Sequence, residues 1–464
     1  MALSSSQKKF IAIVGGVVIV FVLAFLLFGR GGGGEKRTIN LTIWGVGDTQ
    51  SDIQPIITEF VKYAKSTDAY AGAALLIDYR TWREDEYEDI LLNQMAEGRG
   101  PDIFYIHNTW LPKYHNKLVA LPADQMTRDQ FRSLFLPVAA EDLIYDNKIY
   151  ALPHYVDTLA LYYNTQQFQS SGTGSTRPTA TWSAFKAQAA ALTNKFGTSI
   201  TRSGTALGTT KNIKHGVDIF YLMTLQRNGK ICRDEKCAAV FLADNKEALQ
   251  SMNEYTSYSD SKSTNYTWDS NYLKGMETSN IFNDIDAFIR GRVSSIFAYA
   301  DDYDQISVLG KNSGLRFEIS EIPQTDESAA NAENIAFASY WAPAVSRNSN
   351  YPQLAWDFVK YMTSKDVLTE YYKRRPRPPS REDLMNTDQE NPLRVFHRQA
   401  KYAQSLVIFD KTRFTQAFSD ALETVADKAM SSFNALRKLE TDLNKIIDPY
   451  LQVEGEEVTE SGVQ

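Results

Sequence analysis

The sequence is poor in the residues and motifs that usually carry enzyme chemistry. Its 464 residues include only two cysteines and five histidines. It has no Gly-x-Ser-x-Gly and no His-Glu-x-x-His pattern, and Gly310-Lys311 is followed by Asn312, which excludes a phosphate-binding loop. The histidines are scattered, and even His107 and His115 lack a spacing typical of metal ligands. We therefore predict no catalytic centre, no metal and no cofactor.

Positive charge is also scarce. Lys and Arg number 49 against 56 Asp and Glu, which gives a formal net charge of -7. Nucleic-acid binding rewards clustered Lys and Arg, so this balance argues against a nucleic-acid partner. The one dense basic run, Lys373-Arg374-Arg375 with Arg377, lies among prolines and is interpreted as a rigid, solvated loop.

The two cysteines, Cys232 and Cys237, are separated by four residues. This spacing is too wide for a Cys-x-x-Cys redox motif, and there are no nearby histidines to complete a zinc site. A small disulfide-closed loop would suit an oxidising compartment, and two unrelated free thiols are the alternative.

The N-terminus has one long hydrophobic run, at residues 10–28, which is long enough to cross a membrane as a helix. The run ends without a small-x-small cleavage site and without a cysteine that could accept a lipid. We therefore predict a short cytoplasmic N-terminus (1–9), an uncleaved transmembrane anchor (10–29) and a Gly-rich linker (30–37). Positive residues flank the run on both sides, so the positive-inside rule barely decides its orientation.

From Thr38 onward, strand-like and helix-like patterns alternate. Strands are predicted at residues 39–44, 74–79 and 102–106, with helices at 52–63 and 87–95 between them. Each strand ends in a short polar segment, and two of these segments contain a Trp. Because open α/β sheets bind ligands at the carboxyl ends of their strands, these ends predict a binding site.

The remaining chain continues this α/β pattern. Strands are predicted at 159–164, 293–299 and 317–323, and helices at 238–258, 281–290 and 350–363. Another helix begins near residue 181, with Thr181 or Ser183 as its N-cap. Residues 414–448 predict one or two helices that stop at Pro449, followed by an acidic disordered tail at 453–464.

Aromatic residues are abundant, with 7 Trp, 25 Tyr and 24 Phe. Most must lie in the core, but aromatic rings also stack on the apolar faces of sugars while polar side chains bind the hydroxyls. A cleft lined in this way suits reversible binding. The carboxylates Asp301, Asp302 and Asp304 leave a glycan hydrolase as an alternative, although no opposing carboxylate can be placed from the sequence.

Several short motifs follow one another over most of the chain. They are Leu41-Thr42-Ile43-Trp44-Gly45, Gly100-Pro101-Asp102-Ile103-Phe104, Tyr150-Ala151-Leu152-Pro153, Leu161-Tyr162-Tyr163-Asn164, Pro178-Thr179-Ala180-Thr181-Trp182, Phe288-Ile289-Arg290-Gly291-Arg292, Ser339-Tyr340-Trp341-Ala342-Pro343, Ala355-Trp356-Asp357-Phe358-Val359 and Arg377-Pro378-Pro379-Ser380-Arg381. In this order, the motifs resemble the family 1 extracellular solute-binding proteins of ABC transporters, the maltose-binding-protein-like group.

The resemblance implies a type II periplasmic-binding-protein-like α/β fold, in which two lobes close over a ligand by hinge motion. Lobe 1 is expected at 38–153 with 318–365, and lobe 2 at 154–317 with 366–452. Crossings between them are expected near residues 153–157, 316–319 and 363–366. The ligand-binding residues implied by the resemblance are Trp44, Asp48, Asn108, Trp110, Tyr155, Asp157, Trp268, Tyr299, Asp301, Trp341 and Arg375.

The resemblance also implies a function. We expect a monomeric, non-enzymatic receptor, tethered to the cell membrane through residues 10–29 with its main domain extracytoplasmic. It would capture a small solute, a sugar or oligosaccharide first, and deliver it to ABC permease subunits. A ligand-sensing ectodomain that acts through a membrane signalling partner is the alternative, and the hydrolase is a further one.

Overall fold

The computed structural model describes residues 37–461, except for 173, 235, 270–271, 273–282, 332 and 386–390. No helix in this part of the chain is long and apolar enough to cross a membrane. The predicted anchor at residues 10–29, the N-terminus before it and residues 30–36 of the linker lie outside the described residues.

Strands and helices alternate along the described chain. The strands are β1 Thr38–Val46, β2 Ala74–Trp82, β3 Ile103–His107, β4 Ile144–Tyr145, β5 Lys148–Ile149, β6 Ala160–Asn164, β7 Asn194–Phe196, β8 Ser199–Arg202, β9 Ser295–Ala298, β10 Phe317–Ser320, β11 Ala336–Phe337, β12 Trp341–Val345 and β13 Ala403–Gln404. The α-helices are α1 Gln50–Lys65, α2 Glu84–Ala96, α3 Leu111–Tyr114, α4 Arg128–Leu134, α5 Pro137–Leu143, α6 Thr165–Ser170, α7 Trp182–Leu192, α8 Gly216–Leu225, α9 Lys246–Ser257, α10 Asn283–Ile289, α11 Tyr303–Ser313, α12 Asp326–Asn331, α13 Pro352–Met362, α14 Lys365–Arg374, α15 Arg394–Gln399, α16 Lys411–Ala426 and α17 Ser432–Ser461.

The first sheet has four strands in the order β12-β3-β1-β2. β1 runs parallel to β3, and β12 runs antiparallel to β3 with Trp341 opposite His107. All five residues of β3 and all five of β12 are buried, as expected for strands covered on both faces. The antiparallel pairing therefore brings the start of β12 to the carboxyl end of β3.

The second sheet is antiparallel, with three strands in the order β10-β6-β9. Its core is formed by buried side chains from the strands and from helices α7, α8, α9, α16 and α17, among them Leu161, Trp182, Phe220, Tyr255, Phe297, Phe418 and Leu443. The rings of Phe220 and Phe418 lie 5.5 Å apart, so α8 and α16 are packed against each other in this core.

The chain divides into two compact units. One comprises the residues up to Asn40 together with Val61–Leu76, and the other comprises Leu41–Phe60 together with Ile77 onward. In its described part, the first unit contains the start of β1, the end of α1 and the start of β2. The second unit contains the three-stranded sheet, β3, β12, the rest of β1 and β2, and every site residue discussed below.

Most predicted elements are confirmed, including Thr181 as an N-cap whose side chain accepts from Ala184 N. The helix predicted at residues 238–258 is wrong in its first third, because α9 starts only at Lys246. There, the backbone N–H groups of Leu242 and Ala243 donate to the carboxylate of Glu440 at 2.6 Å each. Because these two N–H groups are already bonded to Glu440, they cannot form the backbone hydrogen bonds of a helix.

The predicted helix end at Pro449 is also wrong, because α17 continues through this residue to Ser461 and so overlaps the predicted tail at 453–464. The predicted crossing at residues 316–319 falls on β10, inside the three-stranded sheet. Cys232 and Cys237 are joined by a disulfide, and both are buried.

Candidate functional site

Asp48, at the end of the first strand, is 1% exposed and surrounded by protein partners. Its two carboxylate oxygens are hydrogen-bonded to the Tyr371 hydroxyl at 2.5 Å and to His154 Nε2 at 2.8 Å. Burial alone would raise the pKa of Asp48, but the contacts with His154 and the charge of Arg377 lower it below its usual value. The carboxylate is therefore ionised, and it fixes the loop that follows β1.

Arg377 links this loop to a second group of predicted residues. Its guanidinium is buried, donates to the carbonyl of Gly47 at 3.2 Å and lies 4.8 Å from the ring centroid of Tyr155. It also pairs with Asp301, which is in turn 3.3 Å from Arg375. The interpretation of this basic run as a solvated loop is therefore wrong for Arg377, because a carboxylate, a carbonyl and a ring compensate its buried charge.

Asp157 connects the segment before β6 to the segment after β9. Its carboxylate accepts hydrogen bonds from the backbone N–H groups of Ala300 and Asp301, each at 3.0 Å, and of Thr158 at 2.8 Å. Burial raises the pKa of Asp157 to about 7, although these hydrogen bonds act in the opposite direction. Asp157 thus positions Asp301.

Trp341, the first residue of β12, is part of a group of aromatic rings. Trp110 and His107 meet it edge-on at 5.2 Å each, and Tyr87 does so at 5.6 Å. The Lys411 ammonium lies 5.8 Å from the Trp341 ring centroid. Trp341 therefore has aromatic packing on its edges and a cation over its ring.

Lys411 is one of several charged residues in this region that the sequence did not single out. It pairs with Glu84, whose pKa it lowers. Asp218 accepts a hydrogen bond of 2.9 Å from the hydroxyl of Tyr299, a predicted ligand residue. The ring of Tyr299 also meets that of His215 edge-on at 4.7 Å.

His215 is held between carboxylates. Its Nε2 lies 2.8 Å from Asp302, which also accepts a 2.6 Å hydrogen bond from Lys214. Burial would lower the pKa of His215, but the charge of Asp302 and the hydrogen bonds to Asp218 and Asp302 raise it to about 9. The imidazole is therefore a cation at neutral pH, and it packs against the ring of Tyr299.

Trp44 is buried, and its ring packs against that of Trp82 with centroids 4.8 Å apart. Trp82 is partly exposed, and its buried Nε1 has no hydrogen-bond partner among the described residues. The sequence placed Trp82 at a strand end but did not include it among the ligand residues. Its free donor makes it a better candidate for ligand contact than Trp44.

Three other predicted residues are packed inside the protein. Asn108 is 2% exposed and donates from its amide to Asp142 at 3.0 Å. Trp110 is 2% exposed and lies stacked on Tyr114 with centroids 4.5 Å apart. Trp268 is fully buried in the core around the three-stranded sheet, where its Nε1 donates to Asn212 at 2.9 Å. The structure therefore does not bring Trp268 to the other site residues.

No group of three or more His, Cys, Asp or Glu side chains within the described ranges could hold a metal ion. A surface cavity of about 460 Å³ is lined by residues of α7 and α9, among others, and by none of the predicted ligand residues. Its charged residues Lys186 and Arg227 already pair with Glu254. The candidate site is therefore sought outside this cavity, among Trp82, Tyr155, Tyr299, Asp301 and Trp341.

The sequence profile of the bacterial extracellular solute-binding protein family matches residues 69–394. The maltotriose-binding protein of Pyrococcus abyssi is 30% identical over 82 residues. The aligned segment is 18% of this chain, and the chain spans only 18% of the length of this curated relative.

Two solved structures show how far the likeness extends in three dimensions. The sugar-binding protein MalE from Xanthomonas citri matches with a TM-score of 0.70 at 15% identity, over 90% of this chain and 99% of that one. An ABC substrate-binding protein from Listeria monocytogenes in complex with cycloalternan matches with a TM-score of 0.69 at 17% identity, over 89% of this chain and 99% of that one. The mixed α/β fold is thus that of periplasmic sugar-binding proteins.

The profile match and the shared fold confirm the resemblance drawn from the short ordered motifs. Proteins of this family bind solutes and are not enzymes, which agrees with the absence of catalytic motifs from the sequence. The chain belongs to the family of bacterial extracellular solute-binding proteins.

Proposed function

We propose that the protein captures a neutral sugar or oligosaccharide between two lobes and delivers it to an ABC importer. The observation that carries this proposal is the combination of aromatic rings, of which that of Trp82 is partly exposed, with charged groups that are already paired. The names of the maltotriose-binding relative and of the sugar-binding structural neighbours support it.

The proposed lobes follow the two sheets. The four-stranded lobe contains β1, β2, β3 and β12, and the three-stranded lobe contains β6, β9 and β10. The chain passes from one to the other between Pro153 and Ala160, again between Ser320 and Trp341, and finally between Arg381 and Leu393, where the core of the three-stranded lobe resumes. For the last two crossings, this proposal differs from the expectation at residues 316–319 and 363–366.

The charges of the site favour a neutral ligand. Glu84 pairs with Lys411, Asp302 with both Lys214 and His215, and Asp301 with both Arg375 and Arg377. A charged ligand would have to break one of these pairs and leave a poorly solvated charge behind, which is costly. Sugar hydroxyls can instead add hydrogen bonds to paired groups, and the ring face of a sugar can stack on the partly exposed Trp82.

The location of the protein is part of the proposal. The family supports an extracytoplasmic main domain. We propose that residues 10–29 anchor it to the cell membrane and that it acts as a monomer. Membrane fractionation of the full chain and of a chain lacking residues 1–34 tests the anchor, and light scattering of the detergent-solubilised chain tests the monomer.

A thermal-shift screen of the full chain with maltose, maltotriose, maltotetraose, mannobiose and cyclic maltodextrins tests the proposed ligand class. A sugar at 100 times its Kd stabilises the folded state by about 2.7 kcal/mol, so a bound sugar raises the melting temperature. Trp341→Ala combined with Asp157→Ala should remove most of this rise.

The matched control is Trp268→Phe, which changes a core Trp outside the site. It should lower the melting temperature of the free protein and preserve the rise caused by the sugar. If no sugar in the panel moves the transition, the proposed ligand class is wrong.

A further inference from the structure

The surface cavity of about 460 Å³ lies along one face of α9. The helix contributes four polar side chains that are three or four positions apart and therefore share that face: Gln250, Asn253, Glu254 and Ser257. On its other side, α9 is fixed to the core by the buried Met252 and Tyr255. The volume lies within the range of about 300–1,000 Å³ that small-molecule sites occupy.

The charged part of the lining consists of one carboxylate and two cations. Glu254 pairs with Lys186 of α7, whose Nζ lies 3.1 Å from Oε1, and with Arg227, which follows α8. Arg227 is held further by the carbonyl of Met223, to which its Nη1 donates at 2.8 Å. Glu254 therefore fixes both cations in the wall of the cavity, and one positive charge is left over.

The two cations differ in how easily a ligand can reach them. The side chain of Lys186 is 30% exposed, whereas those of Arg227 and Glu254 are 16% and 15% exposed. An ammonium group has three N–H donors, so Lys186 can pair with Glu254 and still donate to a ligand. Lys186 is therefore the group through which the surplus charge is presented.

The uncharged part of the lining is rich in amides. Gln250 and Asn253 are exposed. Asn265, which follows α9, donates from Nδ2 to Ser257 Oγ at 3.0 Å, and this bond orients its amide. Each amide offers both a donor and an acceptor, as a hydroxyl does. No aromatic ring is among the described residues of the lining, so the cavity lacks the stacking surface that suits a sugar ring.

We propose that this cavity binds a small hydroxycarboxylate, an open-chain acid that carries one carboxylate and several hydroxyls. The carboxylate pairs with the Lys186 ammonium and neutralises the surplus charge. The hydroxyls bond to the amides of Gln250, Asn253 and Asn265. A neutral polyol engages only the amides, and a zwitterionic amino acid leaves the surplus charge in place. The cavity shares no residue with the candidate sugar site, so this inference does not rest on the proposed function.

The experiment compares three probes on the full chain by ligand-observed NMR, in a buffer of low ionic strength without carboxylates or phosphate. D-Gluconate and D-sorbitol have the same carbon chain and differ at one end, where a carboxylate replaces a hydroxymethyl group. L-Serine is the zwitterionic probe. Gluconate should bind about three- to tenfold more tightly than sorbitol or serine, because a partly exposed charge pair contributes about this factor. High salt should reduce the difference.

Two variants locate the binding in this cavity. Lys186→Gln removes the exposed cation, so gluconate should then bind only as tightly as sorbitol does. Asn253→Asp adds a carboxylate of nearly the same shape to the lining. It should weaken gluconate binding about three- to tenfold and leave sorbitol binding unchanged, because only gluconate is repelled. Lys186→Arg keeps the charge and should retain the preference for gluconate.

The matched control is Lys428→Gln, which removes a cation that pairs with Asp260 at 2.6 Å outside the lining. It should leave gluconate binding unchanged, as should Trp341→Ala in the candidate sugar site. Equal affinities for gluconate and sorbitol, or gluconate binding that Lys186→Gln does not weaken, would show that the proposal is wrong. Tighter binding of serine than of gluconate would refute the ligand class. An unsuccessful sugar screen would refute the proposed function and leave this result standing.

Discussion

His215 gives a prediction whose size follows directly from its surroundings. Its pKa is raised from 6.5 to about 9, and one pKa unit corresponds to about 1.36 kcal/mol. The side chain is only 11% exposed, so solvent screening is slight. Because the pKa is higher in the folded than in the unfolded chain, the stabilisation is fully present below about pH 6.5. It is lost as the pH rises through 9 and amounts to about 3 kcal/mol.

The test is urea unfolding of the unaltered chain and of His215→Gln at pH 5.5, 7.5 and 10. The variant should be less stable by about 3 kcal/mol at pH 5.5, and the difference should shrink steeply toward pH 10. Asp302→Asn removes the carboxylate that contributes most to holding the proton, so it should also remove this pH dependence. A difference between His215→Gln and the unaltered chain that stays constant over the whole pH range would refute the reasoning.

Three further predictions concern stability, each measured by urea unfolding. Replacing Cys232 and Cys237 by Ser should cost about 2 kcal/mol, the loop-closure value for so short a loop, and a reductant should then have no further effect on the variant. Asp157, with a pKa raised to about 7, should contribute less to stability as the pH rises from 4 to 8. Asp157→Asn should abolish that slope, and an unchanged slope would contradict the assignment. Glu423→Ala should cost about 2–4 kcal/mol, because it leaves the Thr210 N–H and hydroxyl, bonded at 2.5 and 2.9 Å, without their acceptor. A loss below about 0.5 kcal/mol would show that water replaces the carboxylate.

The sequence predicts those parts of the fold that depend on local pattern. In β1, β2 and β3, apolar residues either alternate with polar ones or follow one another without interruption. The strands and the polar segments that follow them can therefore be predicted from the sequence. Trp44, Asp48 and Trp341 were singled out at strand ends or in short motifs, and the structure buries all three of them. Periodicity cannot show which residue contacts a ligand, since Trp44 packs in the core while Trp82 beside it keeps a free donor.

Contacts between distant segments were not predictable in the same way. Lys411 reaches Glu84 from 327 positions further along the chain, and no local pattern encodes that pairing. Trp268 could not be told from an accessible Trp, because its burial depends on the Asn212 amide and on helices elsewhere in the chain. The segment before Lys246 has a helical pattern, but two of its backbone N–H groups donate to Glu440 instead of to carbonyls within a helix.

The disulfide has a consequence for how the chain matures. Cys232 and Cys237 are five positions apart and are the only cysteines in the sequence. A chain with one pair of thiols has a single intramolecular pairing, so oxidation within the chain can produce no scrambled isomer. The bond closes over a short segment and does not require the two sheets to have met. Maturation outside the cytoplasm therefore requires an oxidant for this protein but no disulfide isomerase.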